Sequence, residues 1–383
     1  MEPIRSRIDR APFKIANALL DFLSGNETRI DLRVCYILAE SKSIKCIKGA
    51  HLQVIDGRVL ILFPGALGDF VCFLPVLECL ARRKLIDVLA RTEFSDVAPP
   101  CASVRSLERS EIRNLFVPGG GTDEKVRNFF DSYDCTYSWM GSGDLTFRQE
   151  LQTATQGRVR LFRFRPKASQ MHQIDYYLFC LQDGSAISVP HVLQRPDASR
   201  WAEIYWAENS LHFKPVLAIA PGSGAREKNW PVNSFEAIAR WWRERLGGKV
   251  ITILGPVEEE RGGYDGLCCE ALVMRGISLD RLTAVLARCS LYLGNDSGIS
   301  HLAAAAGSPT AAVFGPSHVA QWTPRGKNVL LLRQNVQCSP CTISAMRACP
   351  HRECLTGLTP REVIQQLEQW PALVNLTIGG IND

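Results

Sequence analysis

Along this chain, short unbroken runs of Val, Leu, Ile and Phe give way to a glycine break and then to apolar residues spaced three or four apart. The short run is the pattern of a strand buried on both faces of a parallel sheet, and the spaced segment that of an amphipathic helix. Val59-Leu60-Ile61-Leu62-Phe63 opens the clearest unit. Pro64-Gly65-Ala66-Leu67-Gly68 breaks it, and Phe70, Phe73, Leu74, Leu77 and Leu80 continue at helical spacing to Arg82-Arg83-Lys84, cations suited to a helix C-terminus. A second unit opens with Val216-Leu217-Ala218-Ile219-Ala220 and the break Pro221-Gly222-Ser223-Gly224. Asn233 and Glu236 then predict a capping box at the start of a helix that Gly247-Gly248 closes. Further strands are predicted over 250–254, 291–294 and 310–314, with helices over 279–286 and 299–306. This alternation predicts an α/β protein with parallel sheets and helices on both faces.

A length of 383 residues exceeds what one core usually serves, so two domains are expected. The boundaries fall at 58–205 and 206–383, with a linker near 190–212 where Pro190, Pro196 and polar residues gather. Residues 1–57 form an extension. In it Ile4, Ile8, Phe13, Ala16, Leu19, Leu20 and Leu23 recur at helical spacing among Arg5, Arg7, Arg10 and Lys14. That pattern suits a basic helix resting on a membrane or a partner subunit, and equally a helix packed on its own domain. Between 100 and 200 only the loops at Gly119-Gly120-Gly121 and Gly141-Ser142-Gly143, and a buried helix around Tyr176 to Phe179, stand out.

An apolar fraction of 46% beside 22% charged residues is that of a folded globular protein, and a net charge of +5 is too mild for a nucleic-acid binder. The polar N-terminus and the absence of a bilayer-length apolar run predict a cytoplasmic protein, with peripheral contact to the inner membrane left open. No GxGxxG, P-loop, GxSxG or HExxH pattern is present, which lowers dehydrogenases, NTPases, serine hydrolases and zincins.

In open parallel sheets ligands bind beyond the carboxyl ends of the strands, where these glycine breaks fall. The glycines at 65 and 68 let backbone approach a ligand, and Asp69 follows at a helix start. Asp69 suits two roles: a cap for its helix, or a general base. In Pro221 to Pro231 the loop offers N–H groups to phosphate, with Ser223 among them and Lys228 supplying a mobile charge. In Gly294 to His301, the residues Asp296, Ser297 and Gly298 crowd another helix start, an anion site with an acid placed for sugar hydroxyls. His301, on a small-residue helix, reads as a core histidine. Of the 14 cysteines, Cys338, Cys341, Cys349 and Cys354 cluster near the C-terminus. They suit either a structural iron or zinc site or loop-packing thiols.

Taken in order, RVLILFPGALGDFVCFLPVL (58–77), PGSGAREKNWPVNSF (221–235), GNDSGISHLAAAAGSPTAAVFGP (294–316) and the cysteine segment to LTPREV at 363 resemble glycosyltransferase family 9, the ADP-heptose:lipopolysaccharide heptosyltransferases. The resemblance implies a GT-B fold, two Rossmann-like domains facing across a cleft, with a C-terminal helix returning to the first. It implies inverting transfer of heptose from ADP-heptose to an acceptor hydroxyl of the lipopolysaccharide core, with no cofactor in catalysis. Asp69 matches the base, which puts that role ahead of capping, and Lys228 the diphosphate-holding lysine. Asp296, Gly298 and His301 match the donor-side segment, and Glu259 the acid near the nucleoside. The extension and the cysteines also resemble a subgroup that heptosylates autotransporter proteins and binds iron. A protein acceptor, a homo-oligomer, another nucleotide-sugar donor and a non-catalytic nucleotide-sugar-binding assembly protein are the alternatives carried forward.

Overall fold

The computed structural model describes residues 44–48, 51–55, 57–166, 170–182 and 189–373. By its contacts the chain divides into Met1–Val54 and Ile55–Asp383. Strands β1 (Ile44–Lys48) and β2 (His51–Ile55) form a two-stranded sheet of their own. The helix expected over residues 4–23 lies outside the described residues.

Two parallel sheets organise the rest. The first contains β3 (Arg58–Leu62), β4 (Leu85–Ala90), β5 (Ala102–Ser106), β6 (Cys135–Ser138) and β7 (Val159–Leu161), in the order β5-β4-β3-β6-β7. The second contains β8 (Val216–Ala220), β9 (Lys249–Leu254), β10 (Leu272–Arg275), β11 (Leu291–Asn295), β12 (Thr310–Phe314) and β13 (Val329–Arg333), in the order β10-β9-β8-β11-β12-β13. In each, the first strand in sequence lies inside the sheet and the strand order reverses beside it, at β3 and at β8. Ligands of such sheets bind at that reversal, beyond the strand ends.

The apolar runs are explained by burial on both faces. Val59 and Ile61 of β3 join Val216 and Ala218 of β8 in one core that runs between the two sheets. Leu60 and Leu62 face a second core on the outer side of the first sheet, and Leu217 and Ile219 a third on the outer side of the second. Side chains alternate along a strand, so five consecutive apolar residues satisfy two cores at once.

Helices α1 (Leu67–Leu80) and α2 (Gln173–Cys180) belong to the first half. Helices α3 (Val232–Leu246), α4 (Pro256–Arg261), α5 (Gly298–Ala305) and α6 (Pro360–Gln369) belong to the second. The halves meet where α1 packs on α5. At their N-termini the backbones approach closely, flanked by the Leu67 side chain and the His301 ring. A Cβ added at Gly298 would stand 2.8 Å from the Gly68 nitrogen and 2.9 Å from Leu67 Cβ, and one at Gly68 would stand 3.3 Å from Gly298 Cα. A second seam joins the start of α2 to residues 321–325. His172 Nε2 lies 2.9 Å from the Thr323 carbonyl, Arg325 forks onto both oxygens of Asp175 at 2.6 Å, and Gln321 donates to Gln173.

Three expectations change. The stretch taken as a linker contains a helix, Pro196–Glu208, that buries Ala198, Ala202 and Trp206, one apolar residue every four positions. Helix α3 begins at Val232, so Pro231 takes the cap position, and no side chain caps it. Asn233 falls inside the first turn, and Glu236 faces Gly266, where a Cβ would stand 2.3 Å from its Oε1. Helix α6 packs on α3 within the second half. Among the described residues no helix is long and apolar enough to cross a membrane.

The glycine contact predicts that Gly298→Ala forces α1 and α5 apart and lowers unfolding stability by about 1–3 kcal/mol, the usual cost of overpacking. Gly68→Ala, with 3.3 Å available, costs less; chemical denaturation of both variants checks the order. The second seam predicts a pH dependence. His172 Nδ1 accepts the Ile174 N–H, and burial holds the ring's pKa down at about 4, from 6.5. Between those values the unfolded chain takes up the proton first, so stability present above about pH 6.5 is lost as pH falls towards about 4. Denaturation midpoints measured across this range should decline less steeply in His172→Asn.

Candidate active site

The turn after β3 places Asp69 in the first turn of α1, and Asp69 is buried. Gly65 makes this possible, because a Cβ there would stand 2.6 Å from Asp69 Cβ. The two carboxylate oxygens are used differently. Oδ2 accepts the Ala66 N–H at 3.1 Å, which caps the helix. Oδ1 lies 2.6 Å from Arg165 Nη1 as an ion pair, off the direction of a hydrogen bond, and has no hydrogen-bond partner among the described residues. Arg165 is itself held in place, with its guanidinium 4.1 Å from the Phe164 ring centre and 4.6 Å from that of Trp322, a residue of the second half.

In the second half, the ends of β8 and β11 are tied together by Asn295. Its Nδ2 donates to the Pro221 carbonyl at 2.7 Å, and its Oδ1 accepts the Trp230 N–H at 2.9 Å. The loop between Pro221 and Trp230 is therefore fixed at both ends. Lys228 Nζ reaches Asp296 Oδ2 at 2.8 Å, and Ser317 donates to the same oxygen. Ser297 caps α5 by accepting the Ser300 N–H. Ser223, expected to meet the donor, lies 2.7 Å from the Ala225 carbonyl and 2.6 Å from Asn229 Oδ1 through its hydroxyl, and so also shapes the loop.

A cleft of about 520 Å³ opens between the halves, within the size range of small-ligand sites. Gly68 of the first half and Gly222, Ser223, Ser297 and Gly298 of the second line it, with Ile277, Leu279 and Leu282 forming an apolar end. Asp69, Lys228 and Asp296 stand just behind this lining, adjacent in sequence or by contact to the residues that form it. Glu259 does not face the cleft; it pairs with Arg275 on the outside at 3.2 Å. Its neighbour Glu258 lines the cleft instead. Glu258 Oε2 accepts the Gly255 N–H at 3.1 Å, and Gly222 leaves room for Oε1, which a Cβ there would meet at 1.9 Å. A second cavity of about 520 Å³, lined by Pro64, Arg91, Thr92, Glu93 and Glu108 among others, lies at the strand ends of the first sheet.

His301 is buried on α5, with Nδ1 3.5 Å from Cys72 Sγ of α1. Burial lowers the histidine pKa and raises that of the thiol. This is a neutral contact between the halves, in keeping with a core histidine. The four C-terminal cysteines share a neighbourhood. Burial first, and then the nearby Cys341, Cys338 and Cys349, push the Cys354 thiol up to about 11. They do not build a metal cage, and among the described residues no group of three or more His, Cys, Asp or Glu side chains is placed to hold a metal ion. Cys341 Sγ turns to the Cys338 carbonyl, Cys349 Sγ accepts the Arg352 N–H, and Cys354 is buried while Cys338 is exposed.

Two positions at the candidate site, Arg165 and Glu258, carried sequence signals of their own. Arg165 had a signal in Phe162-Arg163-Phe164-Arg165, alternating aromatic and cation just past a strand. Glu258 had one in its position three residues after Gly255, the acid place of a capping box.

The model of the family described as glycosyltransferase family 9 (heptosyltransferase) matches residues 157–349, half of the chain. The chain is 26% identical over 228 residues to lipooligosaccharide heptosyltransferase 2 of Campylobacter jejuni, covering 55% of this chain and 67% of that one. In structure it is similar to a family 9 glycosyl transferase of Veillonella parvula, with a TM-score of 0.66 at 19% identity, over 84% of this chain and 98% of the other. It is also similar to ADP-heptose lipopolysaccharide heptosyltransferase II of Escherichia coli, at 0.60 and 17%, over 84% and 99%. The two parallel sheets facing across a cleft are the GT-B arrangement that these proteins share. The chain is thus an enzyme of glycosyltransferase family 9, the heptosyltransferases.

Proposed function

We propose that the protein transfers heptose from ADP-heptose to an acceptor hydroxyl of the lipopolysaccharide core, with inversion and with no metal in the reaction. One observation carries this reading: a buried carboxylate, Asp69, whose Oδ1 is ion-paired to Arg165 but has no hydrogen bond among the described residues, stands beside Gly68 at the edge of a cleft whose other wall carries a glycine loop and a helix N-terminus. The acceptor half would be 58–205 and the donor half 206–383.

In this reading the nucleoside lies along Ile277 and Leu282, with the free oxygen of Glu258 accepting from ribose hydroxyls. The diphosphate lies against Gly222 to Gly224 and the N-terminus of α5, whose unpaired N–H groups and dipole favour anions. Lys228 rests on Asp296 without donor and offsets the charge that builds on the departing nucleoside diphosphate. The acceptor enters from the cavity beside Pro64 and Arg91. Asp69 Oδ1 takes the proton of its hydroxyl as the oxygen attacks the anomeric carbon from the face opposite the leaving diphosphate. Arg165 orients that carboxylate and is a positioning residue.

Calorimetric titration with ADP-heptose and with UDP- and GDP-sugars, paired with release of nucleoside diphosphate in the presence of lipopolysaccharide-core acceptor, tests the reading. Selective binding of ADP-heptose that Lys228→Ala weakens at least tenfold is expected. Asp69→Asn should bind donor as wild type does and lose a factor of about 10²–10⁴ in kcat. Preference for another nucleotide sugar would overturn the donor assignment, and donor-binding loss in Asp69→Asn would overturn its role as base. Arg165→Gln should lower kcat while leaving the donor KM within about twofold, since the side chain touches the base and not the donor.

A further inference from the structure

A cavity of about 420 Å³ lies apart from the cleft, on the outer side of the loop that follows β8. Arg226 from that loop, Arg261 from the end of α4 and Arg352 from the cysteine segment converge on it, over a floor that includes the buried rings of Trp230 and Tyr264. Four other arginines of this half are matched to acids: Arg243 to Glu270, Arg275 to Glu259, Arg288 to Glu203 and Arg325 to Asp175. The three at the cavity form no ion pair among the described residues.

The cavity is built rather than incidental. Arg352 adopts a left-handed backbone, φ 48°, which a residue with a Cβ disfavours, and in doing so sets Nη1 3.4 Å from the Arg226 carbonyl. The rim opposite is Gly262-Gly263, with φ of 63° and 83°, where an added Cβ would meet nothing within 4 Å. Arg226 and Lys228 occupy the ends of one 3₁₀ turn, Arg226–Lys228. With three residues to a turn, its first and third side chains point in different directions. Lys228 turns inward to Asp296 and Arg226 outward to this cavity, so one short turn serves two anion-directed faces.

We propose that this cavity binds a phosphoryl group, as inorganic phosphate or as the phosphomonoester of a sugar. The three arginines that line it can offer guanidinium donors in the planar fork that suits phosphate oxygens, and their summed charge exceeds that of the dianion. The aromatic floor offers an apolar surface to a sugar ring, and the volume admits one. The proposal stands independently of the donor and acceptor assigned above.

The test is calorimetric titration of the full chain with inorganic phosphate and with glucose 6-phosphate, at ionic strength matched by chloride. Wild type is compared with Arg226→Gln, Arg261→Gln and Lys228→Ala. Arg226 and Arg261 are exposed, so neither substitution disturbs a core. We expect one site, weakened about tenfold by either arginine substitution and unchanged by Lys228→Ala. Tighter binding of the sugar phosphate than of phosphate identifies an esterified ligand, and equal affinity identifies the free ion; both support the site. Absence of binding overturns the proposal. So does binding abolished by Lys228→Ala and indifferent to the arginines, which would place the phosphate in the cleft.

Discussion

Two helices, one from each half, pack with their N-termini together at Gly68 and Gly298, where backbone approaches backbone between the Leu67 side chain and the His301 ring. Each helix N-terminus carries a partial positive charge, so bringing two together is unfavourable unless negative charge is supplied nearby. Asp69 in the first turn of α1 and Asp296 just before α5 supply it. The carboxylates that make the junction tolerable are thus the ones to which the proposed chemistry gives roles. Any side chain at either glycine would move both acids relative to the cleft. The neutral contact of His301 with Cys72 one turn further along extends the same junction with uncharged groups, where another charge would be expensive.

Around this junction the side chains divide their work by atom. Asp69 caps with one oxygen and pairs with Arg165 through the other. Glu258 closes a capping box with one oxygen and presents the other towards Gly222. Ser223 gives up its hydroxyl to hold the loop that carries Lys228, and Asn295 pins that loop to the end of β11. A site assembled this way is ordered before a ligand arrives, so binding spends little on arranging loops.

The α/β class and the main strands were legible because a strand buried on both faces must be apolar throughout, and few other arrangements demand that. The glycine breaks, Asp69, Lys228 and the Asp296 segment were legible for a related reason: they sit where parallel strands end. Less was visible where neighbours far along the chain choose between adjacent residues. Glu258 and Glu259 differ only in which way a short helix turns them, and the contact with Gly222 and Gly255 decided it. Spacing suggested a four-cysteine metal set; the four share a neighbourhood, but which way each thiol turns, to a carbonyl, to an N–H or into the core, was set by distant contacts. The helix Pro196–Glu208 hid in a polar stretch because Ala198 and Ala202 carry little hydrophobic signal, though both are buried.

The sequence by itself determined the alternation of strand, glycine turn and helix, and with it the places where a ligand could lie, because those depend on local periodicity and backbone freedom. Only the tertiary structure decided which oxygen of Asp69 caps the helix, which glutamate faces the cleft, and that Arg165 reaches Asp69. Each of those outcomes depends on a contact between residues 30 or more positions apart, or on a packing face chosen by the opposite half. Local sequence sets the geometry of an element, and the neighbours it packs against select which of its polar atoms remain unpaired.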